Sequence, residues 1–106
     1  MFKLESEIEG HFKRCFDGKF KKPFRGLCLK LTTPGFTGVP DRLILLSGGI
    51  VVFAELKNTG KKERKRQEYV QKKLRALGFK VFSTVDTKEK ADEVITYCEE
   101  VLGRIG

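Results

Sequence analysis

Asp41, Glu55 and Lys57 are the residues of this chain whose types and spacing could do chemistry. Asp41 opens one apolar run (41–46), Glu55 and Lys57 close a second (50–57), and Ser47-Gly48-Gly49 joins them. A three-residue loop with glycine in a left-handed position pairs Leu46 with Ile50. That register puts Asp41 directly opposite Glu55, with Cβ atoms about 4.5–5.5 Å apart, and alternation puts Lys57 on the same face as Glu55; a two-residue loop would break it. Two ionised carboxylates at that distance repel. A divalent cation that favours oxygen ligands, Mg²⁺ or Mn²⁺, would neutralise them and lower the pKa of a bound water, which is the chemistry of phosphodiester hydrolysis. Lys57 would orient that water or offset developing charge. In the plain alternative, Asp41 caps a turn and Glu55–Lys57 is an ion pair on an exposed strand. Against it, Ile50-Val51-Val52-Phe53-Ala54 reads as a strand buried on both faces, which places the charges at the rim of a core.

Charge supports a polyanionic partner. The 106 residues carry 22 Lys and Arg against 14 Asp and Glu, a net +8, and so small and basic a domain attracts nucleic acid through counterion release. A chain of this length is read as one domain, 1–106. No apolar run approaches the roughly 20 residues of a membrane span, and Met-Phe-Lys-Leu-Glu-Ser-Glu lacks the layout of a signal peptide, so a cytoplasmic protein with no membrane partner is expected. Cys15, Cys28 and Cys98 are odd in number and form no CxxC pair, which argues for reduced, structural cysteines. His11, the lone histidine, shows no cysteine or histidine partner in the pattern and is not read as a metal site.

The elements that must position these residues follow from periodicity. Leu4, Ile8, Phe12 and Cys15 or Phe16 predict an amphipathic helix over 4–16, followed by an exposed basic loop at 17–26. Leu27, Leu29 and Leu31 alternate against Cys28 and Lys30 and predict a strand over 27–33 whose leucines are buried. After a turn-rich loop (34–40) and the hairpin, the basic stretch 58–66 runs into a helix with an inner stripe of Gln67, Val70, Leu74 and Leu77, ended by Gly78. A strand over 79–85 leads to a last helix, capped by Asp86 or Thr87, with Ala91, Val94, Ile95, Cys98 and Leu102 on its apolar face. The order α-β-β-β-α-β-α predicts an α/β fold, a mixed central sheet flanked by helices.

Further candidates surround the hairpin. Glu5 lies on the side of Ile8 and Phe12 and Glu9 shares that edge, while Glu7 points away; all three also complement a helix N-terminus. Gln67 begins its helix's inner stripe. Lys30 ends the strand that feeds the Asp41 loop, where it would touch a DNA backbone or simply face solvent. Lys61, Lys62, Arg64, Lys65 and Arg66 form a phosphate-tracking patch or a solvated helix start. Phe36, at the tip of "TPGFTGVP", is read first as core packing, with a subunit contact or a wedge against unstacked bases as alternatives.

"GVPD" at 38–41 followed by "ELK" at 55–57 resembles the signature of the PD-(D/E)xK nuclease superfamily. With a helical acid (Glu5), Lys30 before "LTTPG", and Gln67 on the next helix, residues 5–85 resemble the small stand-alone virus-type replication-repair nuclease (VRR-NUC) domain. The resemblance implies a restriction-endonuclease-like core and DNA cleavage dependent on Mg²⁺ or Mn²⁺, held by Asp41, Glu55 and the Leu56 carbonyl. It implies catalytic roles for Glu5, Asp41, Glu55, Lys57 and Gln67, and a homodimer acting on four-way (Holliday) junctions. The basic 17–26 segment departs from the family pattern. The rival readings are a non-catalytic nucleic-acid-binding module, a flap or nicking nuclease, and an RNA-directed nuclease.

Overall fold

Ile8, Phe12, Phe16 and Phe20 recur every four residues, and burying that stripe forms the first helix of the computed structural model, which describes residues 4–105. This helix, α1 (Glu5–Phe20), runs four residues beyond the predicted end. Phe20 is fully buried, and its ring lies tilted 4.7 Å from that of Phe16, itself 5.9 Å from Phe12. A buried phenylalanine contributes about 1.5–3 kcal/mol, more than the roughly 1 kcal/mol that Gly18 costs in a helix interior. The predicted basic loop therefore shrinks to 21–25.

Three antiparallel strands and one parallel strand make a mixed sheet in the order β1-β2-β3-β4: β1 (Gly26–Lys30), β2 (Arg42–Leu46), β3 (Ile50–Leu56) and β4 (Lys80–Val85). The β2–β3 turn is the three-residue one, with Leu46 opposite Ile50 and Arg42 opposite Ala54. Gly48 and Gly49 both take positive φ there, a conformation that glycine adopts without steric cost. The last helix, α3 (Lys88–Ile105), is capped by Thr87, whose hydroxyl accepts the Lys90 N–H at 3.0 Å.

Both long helices lie on one sheet face. Their buried residues, including Ala91, Val94, Ile95, Cys98 and Leu102 of α3, join Ile44, Val52, Ala54 and Leu56 in a single core. The intervening helix, α2 (Lys65–Ala76), packs on β4 at the opposite face, where Val70 and Val81 are buried. It ends at Gly78 (φ +97°), where the Phe79 N–H reaches back to the Leu74 carbonyl. Its inner stripe differs from the expected one: Val70 and Gln71 are buried, whereas Leu77 projects into solvent.

The face of β1 is also reversed. Cys28 packs against the core, while Leu27 and Leu29 remain 41% and 40% exposed. The leucines share the α2 face, but α2 covers only the β4 side of it, so the β1 end is left open.

Candidate active site

Asp41 is held from both sides before its carboxylate is considered. Its carbonyl accepts the Leu31 N–H at 2.8 Å, one step beyond β1, and its own N–H donates to Glu55 Oε1 at 3.2 Å. Asp41 Oδ1 in turn accepts the Leu56 N–H at 3.0 Å. These reciprocal bonds fix residue 41 against 55 and 56 at the end of the β2–β3 ladder. They leave little freedom for either carboxylate to swing into water.

Lys57 completes the cluster. Its Nζ lies 3.0 Å from Gln67 Oε1, 3.9 Å from Glu55 Oε2 and 3.7 Å from Glu63 Oε2, and its side chain is buried. The Gln67 amide nitrogen sits 3.5 Å from Glu55 Oε2, and its Oε1 also accepts the Arg64 N–H at 2.8 Å. Gln67 thus ties the start of α2 to the end of β3. Glu5 reaches the same region from α1, and its backbone N–H donates to Asn58 Oδ1 at 2.6 Å.

The electrostatics are those of crowded acids. Burial, then the charge of Asp41, push the Glu55 carboxyl up to about 7, against the opposing pull of Lys57. Burial also raises Asp41, with Glu5 adding to the rise and the Leu56 N–H working against it. The buried Arg42 guanidinium donates to Asp41 Oδ2 at 2.9 Å and pairs with Glu9. A cation-binding donor set should hold hard oxygen atoms whose negative charge is incompletely offset, and Asp41 with Glu55 supplies one. Glu63 Oε2, buried and accepting no hydrogen bond, adds a third acidic oxygen nearby. The residues present fit a hard divalent cation.

Glu5, Asp41, Glu55, Leu56, Lys57 and Gln67 therefore converge on one end of the sheet. Glu9 joins this cluster through Arg42, which also holds Asp41, and lies 3.9 Å from Lys30. Lys30, Lys61, Lys62, Arg64, Lys65 and Arg66 are exposed around this end of the fold. Phe36 is not core: it is 51% exposed on the loop before Asp41.

Sequence reasoning missed three neighbours. Asn58 and Arg42 adjoin the motif residues but carry no periodic signal. Glu63 is hidden in the basic run, where being the lone acid among Lys61, Lys62, Arg64 and Lys65 was the available hint. Its Oε1 accepts the Thr84 N–H at 2.8 Å and the Thr84 hydroxyl at 2.9 Å. Thr84 takes φ +53° at an irregularity in the β3–β4 ladder, after which the Val85 carbonyl accepts the Lys57 N–H. Bulges of this kind re-aim side chains beside sites.

No family model matches the chain. A protein described as "Putative nuclease p44", from Acyrthosiphon pisum secondary endosymbiont phage 1, is 41% identical over 56 residues, 53% of this chain. The match spans 60% of the length of that relative. A solved structure described as a VRR_NUC domain shares the fold at a TM-score of 0.66 and 28% identity, covering 84% of this chain and 95% of the other.

Proposed function

We propose that this chain, a VRR-NUC domain, is an endonuclease that hydrolyses phosphodiester bonds of branched DNA, four-way junctions foremost. The observation that carries the reading is the reciprocal Asp41–Glu55–Leu56 clamp, which holds a half-buried and a buried carboxylate, mutually repelling, beside the Lys57–Gln67 pair. Asp41, Glu55 and the Leu56 carbonyl would hold Mg²⁺ or Mn²⁺. When bound, that ion supplies an activated water and charge stabilisation at the phosphate.

The protein's own groups do the rest. Gln67 holds the Lys57 ammonium at 3.0 Å, so its charge is preorganised where negative charge grows on a phosphoryl oxygen. Glu5 adds negative charge beside Asp41 and raises the demand for a cation. Lys30 and the basic run 61–66 supply phosphate contacts that position the duplex arms without reading sequence.

A homodimer suits a junction, which is cut on two strands, because a twofold axis relates two sites. The half-open leucine face of β1 supports a second copy as its cover, since exposed apolar patches commonly mark interfaces.

The deciding experiment incubates labelled four-way junction, flap and linear duplex with Mg²⁺ or Mn²⁺, beside an Asp41→Ala control. Paired, metal-dependent incisions near the branch, absent in the variant, are expected. Preference for flap or duplex would retain the nuclease and remove the junction assignment. Tight binding without cleavage in either metal would leave a binding module.

A further inference from the structure

Beside the candidate active site stands a ladder of alternating rings and cations. The Arg66 guanidinium lies 4.9 Å from the Phe36 ring centre and 5.3 Å from that of Tyr69, and Lys73 Nζ lies 5.1 Å from Tyr69. Phe36 and Tyr69 are 51% and 49% exposed, so they keep open surface despite these contacts. The arrangement is built, not incidental. Arg66 donates its Nε–H to the Thr37 carbonyl at 3.1 Å, and the Thr33 hydroxyl donates to the Phe36 carbonyl at 2.8 Å. Gly38, at φ +89°, lets the loop pass so close to Arg66 that a Cβ would stand 2.8 Å from its Cγ and its carbonyl oxygen.

We infer that this ladder is a stacking site for an unpaired DNA base, and that it selects branched or single-stranded substrate over continuous duplex. The inference rests on DNA being the ligand, as proposed above. An aromatic face accepts any base, while an adjacent guanidinium and ammonium attract the flanking phosphates. Bases inside a duplex are already stacked on their neighbours and cannot reach the rings; a base splayed at a branch can. Arg66 immediately precedes Gln67, and the Phe36 loop runs directly into Asp41. A base captured here would therefore anchor the strand beside the carboxylates.

The test measures binding in EDTA, which separates it from cleavage. The probes are a short duplex with one bulged 2-aminopurine, the matching single strand and the perfect duplex. Wild-type protein should quench the 2-aminopurine. Phe36→Ala and Tyr69→Ala should abolish the quench and weaken bulged and single-stranded binding about tenfold, with perfect-duplex affinity unchanged. Phe36→Tyr should restore both, whereas Phe36→Leu should not. Absence of quenching, or equal losses on all three probes, would overturn the inference. Metal-dependent junction cleavage that survives such a result would leave the nuclease intact. Quenching without cleavage in either metal would keep the stacking site and remove the nuclease.

A second, independent cluster lies between α1 and α3. His11 and Cys15 are one helical turn apart, which the sequence pattern had not been read to pair, and Asp92 faces them from α3. Both partners address the same ring nitrogen: His11 Nε2 is 2.7 Å from Asp92 Oδ1 and 3.7 Å from Cys15 Sγ. All three ligand atoms lie within 4.8 Å of one another. Zinc bonds of about 2.0–2.3 Å in a tetrahedron place nitrogen and sulfur ligands roughly 3.5 Å apart, close to the separation found. The exposed Asp92 need open only slightly for an ion to replace the shared proton.

The geometry points to a Zn²⁺ site of His11, Cys15 and Asp92 that cross-links the two long helices. Co²⁺ reports on it selectively, because thiolate ligation gives a charge-transfer band that the all-oxygen site cannot. One equivalent of Co²⁺ should produce the band, Zn²⁺ should displace it, and Cys15→Ser should remove it. Asp92→Asn should weaken Zn²⁺ binding at least about tenfold, and Zn²⁺ should raise the thermal midpoint of wild type but not of Cys15→Ser. A missing band, or Zn²⁺ stabilisation indifferent to Cys15→Ser, would overturn the assignment.

Discussion

Glu55 stands under opposed demands: burial and Asp41 disfavour its charge, yet the proposed chemistry needs it ionised. In the unfolded chain it ionises near its ordinary value of about 4.3; in the fold it does so only near about 7. A raised carboxylate therefore removes stability as pH climbs through that window. Glu55→Gln should raise the melting temperature in EDTA at pH 8, by the equivalent of roughly 1–3 kcal/mol, and bring no such gain at pH 4. Added Mg²⁺ should reverse the order by stabilising wild type alone. Asp86 is the converse case. Burial opposes its ionisation, but the Lys90 ammonium at 2.9 Å and the Gly60 N–H at 3.0 Å hold its pKa below the ordinary value. Its contribution is present above about pH 4 and is lost as pH falls through the depressed value. Asp86→Asn should cost about 1–2 kcal/mol at pH 7 in urea unfolding, a difference that closes in acid. Asp41, Glu55 and Lys57 were legible because one strand period and one turn length suffice to align them. Glu63 was not, since its place depends on the Thr84 irregularity, a backbone event with no residue pattern of its own.

At the scale of elements, α1 shows how packing extends a helix past an unfavourable residue. A Cβ at Gly18 would meet nothing within 4 Å, and Gly18 is not among the positive-φ glycines. Gly18→Ala should therefore stabilise the protein by about 0.5–1 kcal/mol in chemical denaturation. Phe20→Ala should cost about 3–5 kcal/mol if the last turn is as integral to the core as its burial indicates. The element order, the hairpin register and the buried face of α3 could all be read in advance, because each is local periodicity. The inversion of β1 could not. Which face of a strand is covered depends on where distant helices dock, and both α1 and α3 chose the side of Cys28.

For the whole molecule, the net charge of +8 combines an acidic focus with a basic surround. Affinity for duplex should fall steeply with salt, and Lys61→Ala and Lys62→Ala should each flatten the log–log slope by about 1. Those variants should leave the preference among DNA shapes unchanged in gel-shift titrations. Leu27→Lys with Leu29→Lys should yield monomers in sedimentation if the open face is covered by a second copy. Every proposed catalytic residue lies between Glu5 and Gln67, yet the core that braces α1 against the sheet is closed by α3, residues 88–105. Synthesis at about 5–20 residues per second thus delivers the acids and the lysine seconds before the helix that steadies them. A nascent chain halted at Val85 would hold all the proposed catalytic residues without the helix that closes their core, so their alignment waits on the synthesis of α3.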